Sequence, residues 1–174
     1  MDYLIFSCSL KPTSLSRIMA KEMHKIFDEK KLSVDFVDLT NFPLPMCDGD
    51  TAYHDLHVAE LRGKIHAAKG IVIAAPIYNY DISASTKNLI ELTGSAWKEK
   101  VVGFVCAAGG RSSFMSVMGL ANSLMLDFKC IIVPRFVYAT EAAFTSHKLS
   151  DAKIHERLDD LAQNLIRVSA ALTQ

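Results

Sequence analysis

Five short apolar runs, continuous except for Asp35 in the second, recur along the chain at 3–6, 34–37, 71–75, 101–107 and 130–133, each rich in Val, Ile or aromatic side chains. A strand with one wet face alternates apolar and polar residues, whereas an unbroken run needs cover on both faces, as in a parallel sheet. Helical spacing fills the gaps between the runs. Ile18, Met19, Met23, Ile26 and Phe27 share one face of a helix, and Leu61, Ile65 and Ala68 mark a second. A third begins near Ala84, carries Leu89, Ile90 and Thr93, and meets Gly94, which is placed to end it. Phe114, Val117, Met118, Ala121, Leu124 and Met125 form a fourth stripe, and Ile154, Leu158, Leu161, Leu165, Ile166 and Val168 a fifth, both predicted to be core. Strand and helix thus alternate five times, the pattern of an α/β sandwich.

With five strands visible, the spacing predicts a three-layer, flavodoxin-like sandwich: a five-stranded parallel sheet of order 2-1-3-4-5 with helices on both faces. The 174 residues suit one domain, 1–174, with a substantial core. Nineteen basic and 19 acidic side chains cancel, so bulk charge favours neither a nucleic acid nor an anionic membrane as partner. No stretch approaches the roughly 20 apolar residues of a membrane span, and no secretory leader is evident, so a cytoplasmic protein is expected. The cysteines at 8, 47, 106 and 130 lack the C-x-x-C spacing of a zinc or dithiol site, and Cys106 and Cys130 fall in apolar runs as buried thiols.

In a sheet of this order, ligands gather at the carboxyl ends of the strands, where the winding reverses between the first and third. The first run delivers Ser7-Cys8-Ser9-Leu10-Lys11-Pro12-Thr13-Ser14-Leu15-Ser16-Arg17 to the start of a helix. Unpaired N–H groups at a helix N-terminus attract an anion. The hydroxyls of Ser9, Thr13, Ser14 and Ser16 can donate to phosphate oxygens, and Lys11 or Arg17 can offset the charge. The same residues also suit an N-cap and a polar turn. The third run feeds Pro76-Ile77-Tyr78-Asn79-Tyr80-Asp81 and the fourth Gly109-Gly110-Arg111-Ser112-Ser113. Pro76 stiffens a wall, the tyrosines offer aromatic faces, and two glycines let the backbone approach a flat ligand. Three such loops fit a mononucleotide-sized cofactor, with phosphate at the first loop and a ring across the other two.

Taken together, these motifs resemble those of the NADPH-dependent FMN reductase family. The segment Ser9-Leu10-Lys11-Pro12-Thr13-Ser14-Leu15-Ser16 is similar to its phosphate loop, and Pro76-Ile77-Tyr78-Asn79-Tyr80-Asp81-Ile82 to its Pro-Glu-Tyr-Asn-Gly-Ser-Ile motif. Lys87-Asn88, Trp97-Lys98-Glu99-Lys100-Val101 and Ala108-Gly109-Gly110-Arg111 extend the likeness over residues 3–135. The resemblance implies FMN and NADPH or NADH as cofactors. Ser9, Lys11, Ser14, Leu15 and Ser16 would hold the phosphate, and Pro76, Ile77, Tyr78, Asn79, Gly109, Gly110 and Arg111 would surround the ring or its redox partners. Hydride would pass from the nicotinamide through the flavin to a small-molecule acceptor such as a quinone, free flavin, azo compound or metal oxyanion. It further implies a homodimer or homotetramer. Four positions depart from the family pattern: Cys8 for Gly, Lys11 for Arg, Ile77 for Glu, and Tyr80 for Gly. Lys11 keeps the charge and loses the planar fork.

Two other readings remain open: a flavin-binding electron carrier or sensor, and a flavin-free interaction domain that retains the fold. Asp35, inside the second run, and Asp38, just after it, read as exposed strand-end carboxylates rather than ribose contacts. His54 and His57 lie close together without the pattern of a metal site.

Overall fold

The computed structural model describes residues 2–172. The central strands are β1 (Tyr3–Ser7), β2 (Val34–Asp38), β3 (Gly70–Tyr78) and β5 (Val101–Ala108), with β4 (Asp81–Ile82) folding back antiparallel on the end of β3. The sheet runs β2-β1-β3-β5 and then ends on two short strands, β6 (Ile131–Ile132) and β7 (Val137–Thr140), both parallel to β5. Seven strands therefore occupy the five predicted positions. The fifth run, predicted at 130–133, supplies only β6, against Val101 and Val102, and β7 takes over against Val105 to Ala108. Pro134 lacks an N–H for the ladder and Arg135 adopts a left-handed φ of 61°, which breaks the edge in two.

Helices α1 (Leu15–Glu29) and α5 (Ala152–Leu172) cover one face of the sheet. Helices α2 (Leu56–Ala67), α3 (Ala84–Thr93) and α4 (Met118–Phe128) lie on the side of the other core cluster. The pleat sorts the apolar runs between these layers. Tyr3 and Ile5 of β1, with Val72 and Ala74 of β3, pack under α1 and α5, while Leu4, Phe6, Ile71 and Ile73 face the opposite cluster. This is why the runs are unbroken, and each fully buried Leu, Ile or Val contributes about 1.5–3 kcal/mol. Gly103 of β5 lets α5 approach closely, since a Cβ there would lie 3.1 Å from Leu161.

The fourth stripe is shorter than predicted. Helix α4 starts at Met118, and Phe114 and Met125, predicted core, are exposed. A final two-stranded hairpin, β8 (Phe144–Thr145) with β9 (Lys148–Leu149), precedes α5. Among the described residues, no helix is long and apolar enough to cross a membrane.

Candidate functional site

Strand order alone brings the first, third and fourth predicted loops together, because β1, β3 and β5 are consecutive neighbours. Their carboxyl ends surround a cavity of about 590 Å³, within the 300–1,000 Å³ typical of small-molecule sites. Of the predicted site residues, Lys11, Ser14, Leu15, Ser16, Pro76, Ile77, Tyr78 and Gly109 line it together, with Thr13 among them. Ser9, Asn79, Gly110 and Arg111 lie outside the lining. Ser9 is buried beneath the loop, where its Oγ accepts from the Lys11 N–H at 3.3 Å. Asn79 turns the β3–β4 hairpin with a φ of 51°, and Arg111 is exposed.

Arg17 has a different task from the one its charge suggests. Its guanidinium is buried and grips both oxygens of Asp38 at the end of β2, through Nε at 2.5 Å and Nη2 at 3.0 Å. The remaining donors go to the carbonyls of Ser9 and Pro12, each at 2.8 Å, and of Lys11. The side chain therefore holds the loop in shape. It also occupies three carbonyl oxygens that would otherwise repel an anion. Asp38 is not the exposed carboxylate that the sequence suggests: burial works to raise its pKa, but hydrogen bonds from Arg17 and Thr40 outweigh this and leave it below the usual value. Asp35 pairs with Lys64 at 2.8 Å. Cys8 fits the first turn without a left-handed φ, and its fully buried thiol is pushed up to about 12, so it is no nucleophile at neutral pH.

The residues that remain fit the phosphate and ring of FMN. Ser14 caps α1 by position but its hydroxyl makes no cap bond, and the helix has no acidic residue in its first turn. Instead, the Ser14 and Ser16 hydroxyls bond each other at 2.8 Å. One proton serves that bond, and the second hydroxyl proton is left to donate to a ligand oxygen. Lys11 is exposed at the cavity and, among the described residues, has no carboxylate within ion-pair distance, so its charge is available to an anion. At the ring end, Gly109 has neither a left-handed φ nor any protein atom within 4 Å of an added Cβ. Nothing in the fold requires glycine there, although Gly109 itself lines the cavity.

Six lining residues lie outside the predicted site: Ala107 and Ala108 at the end of β5, and Glu141, Phe144, Ser146 and His147, carried by the β8–β9 hairpin and the turn before it. The hairpin tip, Ser146 (φ 49°) and His147 (φ 57°), has the backbone of a two-residue turn that normally calls for Asn-Gly. Without those residue types the sequence carries no hairpin signal. Alternation of Phe144 and Leu149 about a polar centre was the only trace.

A family model described as NADPH-dependent FMN reductase matches residues 1–145. Over 148 residues the chain is 26% identical to an NAD(P)H-dependent FAD/FMN reductase of Geobacillus thermodenitrificans (strain NG80-2), an alignment covering 82% of this chain and 78% of that protein. It is 29% identical over 144 residues to a probable NADPH:quinone oxidoreductase 1 of Oryza sativa subsp. japonica, covering 77% and 73% respectively. In fold it matches FerB, a flavoenzyme NAD(P)H:(acceptor) oxidoreductase from Paracoccus denitrificans, with a TM-score of 0.79 at 18% identity over 98% of this chain and 97% of that one.

Proposed function

The chain belongs to the NADPH-dependent FMN reductase family, and from that premise we propose that it is an FMN-dependent NAD(P)H oxidoreductase whose acceptor is a small planar compound of the quinone class. The observation that carries this reading is the convergence of an anion-ready helix start, with the Ser14–Ser16 hydroxyl pair and Lys11, and a ring slot at Pro76, Tyr78 and Gly109 on one cavity. When bound, FMN supplies the two-electron chemistry that links a hydride donor to an acceptor.

The chain's own residues bind and orient. Ser14, Ser16, Lys11 and the first-turn N–H groups of α1 would hold the phosphate at a fixed point, because the loop that carries them is locked by Arg17. Pro76 and Ile77 at the end of β3 form an apolar floor beside Ala107 and Ala108 of β5, so one edge of a bound ring would be shielded from water. Tyr78, half-exposed on the same cavity, presents an aromatic face to whatever stacks there. Oxidised nicotinamide would have to leave before the acceptor enters, since both need the same exposed face. No side-chain acid or base is required at the cavity for the hydride step, so that step would call on neither Glu141 nor His147, although both line the cavity.

The test is spectroscopic. Purified protein mixed with FMN and freed of excess flavin by gel filtration is expected to retain the visible flavin bands, to bleach on anaerobic addition of NADPH, and to regain colour on addition of 1,4-benzoquinone. Retention without bleaching favours an electron carrier. Loss of all flavin on the column refutes tight binding.

A further inference from the structure

The hairpin that joins β3 to β4 turns on Asn79 and Tyr80, both left-handed, at φ 51° and 63°. A two-residue turn of this kind requires positive φ at both positions, which Asn tolerates and an aromatic residue rarely adopts. Backbone strain persists where surrounding contacts hold it in place, and such places concentrate at functional sites. Here the contact is explicit: the Tyr80 hydroxyl donates to Ser112 Oγ at 2.9 Å, crossing from the β3 loop to the loop after β5.

That second loop is tied from its other flank as well. Tyr138 of β7 donates its hydroxyl proton to the Gly110 carbonyl and accepts from Ser113 Oγ at 2.8 Å. Residues 109–113 are therefore suspended between two tyrosine hydroxyls. One belongs to the sheet and is partly buried; the other, Tyr80, is 67% exposed. Tyr78 and Gly109, which border the two loops so joined, line the same cavity.

We infer that the Tyr80–Ser112 hydrogen bond is the rim of the acceptor slot and that it selects single-ring planar acceptors against fused-ring ones. The bond fixes the separation of the two loops, so an acceptor wider than the slot must break it to reach the cavity. This rests on the flavin-site reading above and adds the residue that sets acceptor size. The hydroxyl, the ring and the left-handed turn act together: the turn places the ring at the mouth, and the hydroxyl holds it there.

The experiment compares wild type with Y80F, S112A, the Y80F/S112A double variant and Y80G. The first readout is the ratio of kcat/KM for anthraquinone-2-sulfonate to that for 1,4-benzoquinone, with NADPH as donor. This ratio is expected to rise about tenfold or more in Y80G. Y80F and S112A should each raise it by an equal amount of about threefold, and the double variant no further, since both remove one bond. The second readout needs no turnover: in the flavin-free protein, amides of 109–113 should exchange with deuterium faster in Y80F, S112A and the double variant than in wild type. The third is the dissociation constant of anthraquinone-2-sulfonate from the oxidised, FMN-loaded protein, which should fall in Y80G. A Y80G ratio within about twofold of wild type, with FMN still bound, overturns the rim. A wild type that holds no FMN overturns the flavin reading itself, and that result is visible before any variant is made. Y80G relieves a left-handed side chain, so failure to fold is not the expected confounder.

Discussion

The two ends of the cavity are built in opposite ways. At the phosphate-loop end, one buried side chain, Arg17, makes five hydrogen bonds to a carboxylate and three carbonyls. Away from that anchor, Tyr80 stands exposed on a left-handed turn and reaches the loop after β5 through a single hydroxyl contact, and His147 stands exposed on another such turn. The difference suits what each end would do under the proposed function. An anchor for a retained phosphate gains from one fixed geometry, which a buried, fully satisfied ionic network supplies. A mouth that admits one planar partner and releases another needs elements that open at low cost, and exposed single hydrogen bonds offer that.

Breaking the anchor should have the largest effect. Arg17→Ala leaves the Asp38 carboxylate and the carbonyls of Ser9, Lys11 and Pro12 without their donor, and removal of one partner from such a pair costs about 3–5 kcal/mol. Urea unfolding should report that loss, and Arg17→Lys should recover little of it because an ammonium cannot span five acceptors in a plane. The acid limb carries the same information. Asp38 has a folded pKa held below its unfolded value, so its contribution is complete above about pH 4 and is lost as pH falls through the depressed folded value. Wild-type stability should therefore decline in acid, more steeply than that of Asp38→Asn. An Arg17→Ala protein with the wild-type urea midpoint would show that the loop is held by something else.

What could be read in advance follows the same division. The strands of the sheet centre were legible because burial on both faces leaves unbroken apolar runs, and the hydroxyl-rich segment before α1 because it follows a central strand, which puts it on the cavity. The role of Arg17 was not, since its partner lies 21 positions away across two parallel strands and no local spacing encodes that pairing. The edge strand was misplaced because the apolar run at 130–133 hides the break at Pro134 and Arg135. Phe114 joins a helical stripe by spacing and yet precedes the helix, where it is exposed and lines a surface groove together with Phe136 and Tyr138. The β8–β9 hairpin was hidden by a tip of Ser146 and His147, where propensity predicts neither residue.

Filling the ring slot should have an intermediate effect and should separate binding from folding. An added Cβ at Gly109 meets no protein atom, so Gly109→Val should leave unfolding stability within about 0.5 kcal/mol of wild type, as for a surface change. Because Gly109 lines the cavity, the added side chain should compete with the ring, and FMN affinity should weaken by about tenfold, or about 1.4 kcal/mol. Quenching of FMN fluorescence on titration checks the second quantity, and thermal or urea unfolding of the flavin-free protein the first. Equal FMN affinity in the two proteins would place the ring elsewhere.

The smallest effect tests whether strain at the mouth is retained for use. His147→Gly replaces a left-handed imidazole with the residue that its turn position favours, which relieves about 1 kcal/mol of backbone strain. Glycine gives back about 0.4–1 kcal/mol by loosening the unfolded chain, so the net change is a gain of no more than a few tenths. Differential unfolding of the flavin-free proteins should resolve that sign, or show none. Function should move the other way, because His147 lines the cavity with Lys11 and Thr13, and its loss removes one wall from whatever binds beside the phosphate loop. A severalfold rise in KM for NADPH, with stability equal or better, is the outcome that joins His147 to Tyr80 as strain kept for binding. An unchanged KM would confine functional strain to the Tyr80 side and leave the second hairpin as a covering element for the end of α1.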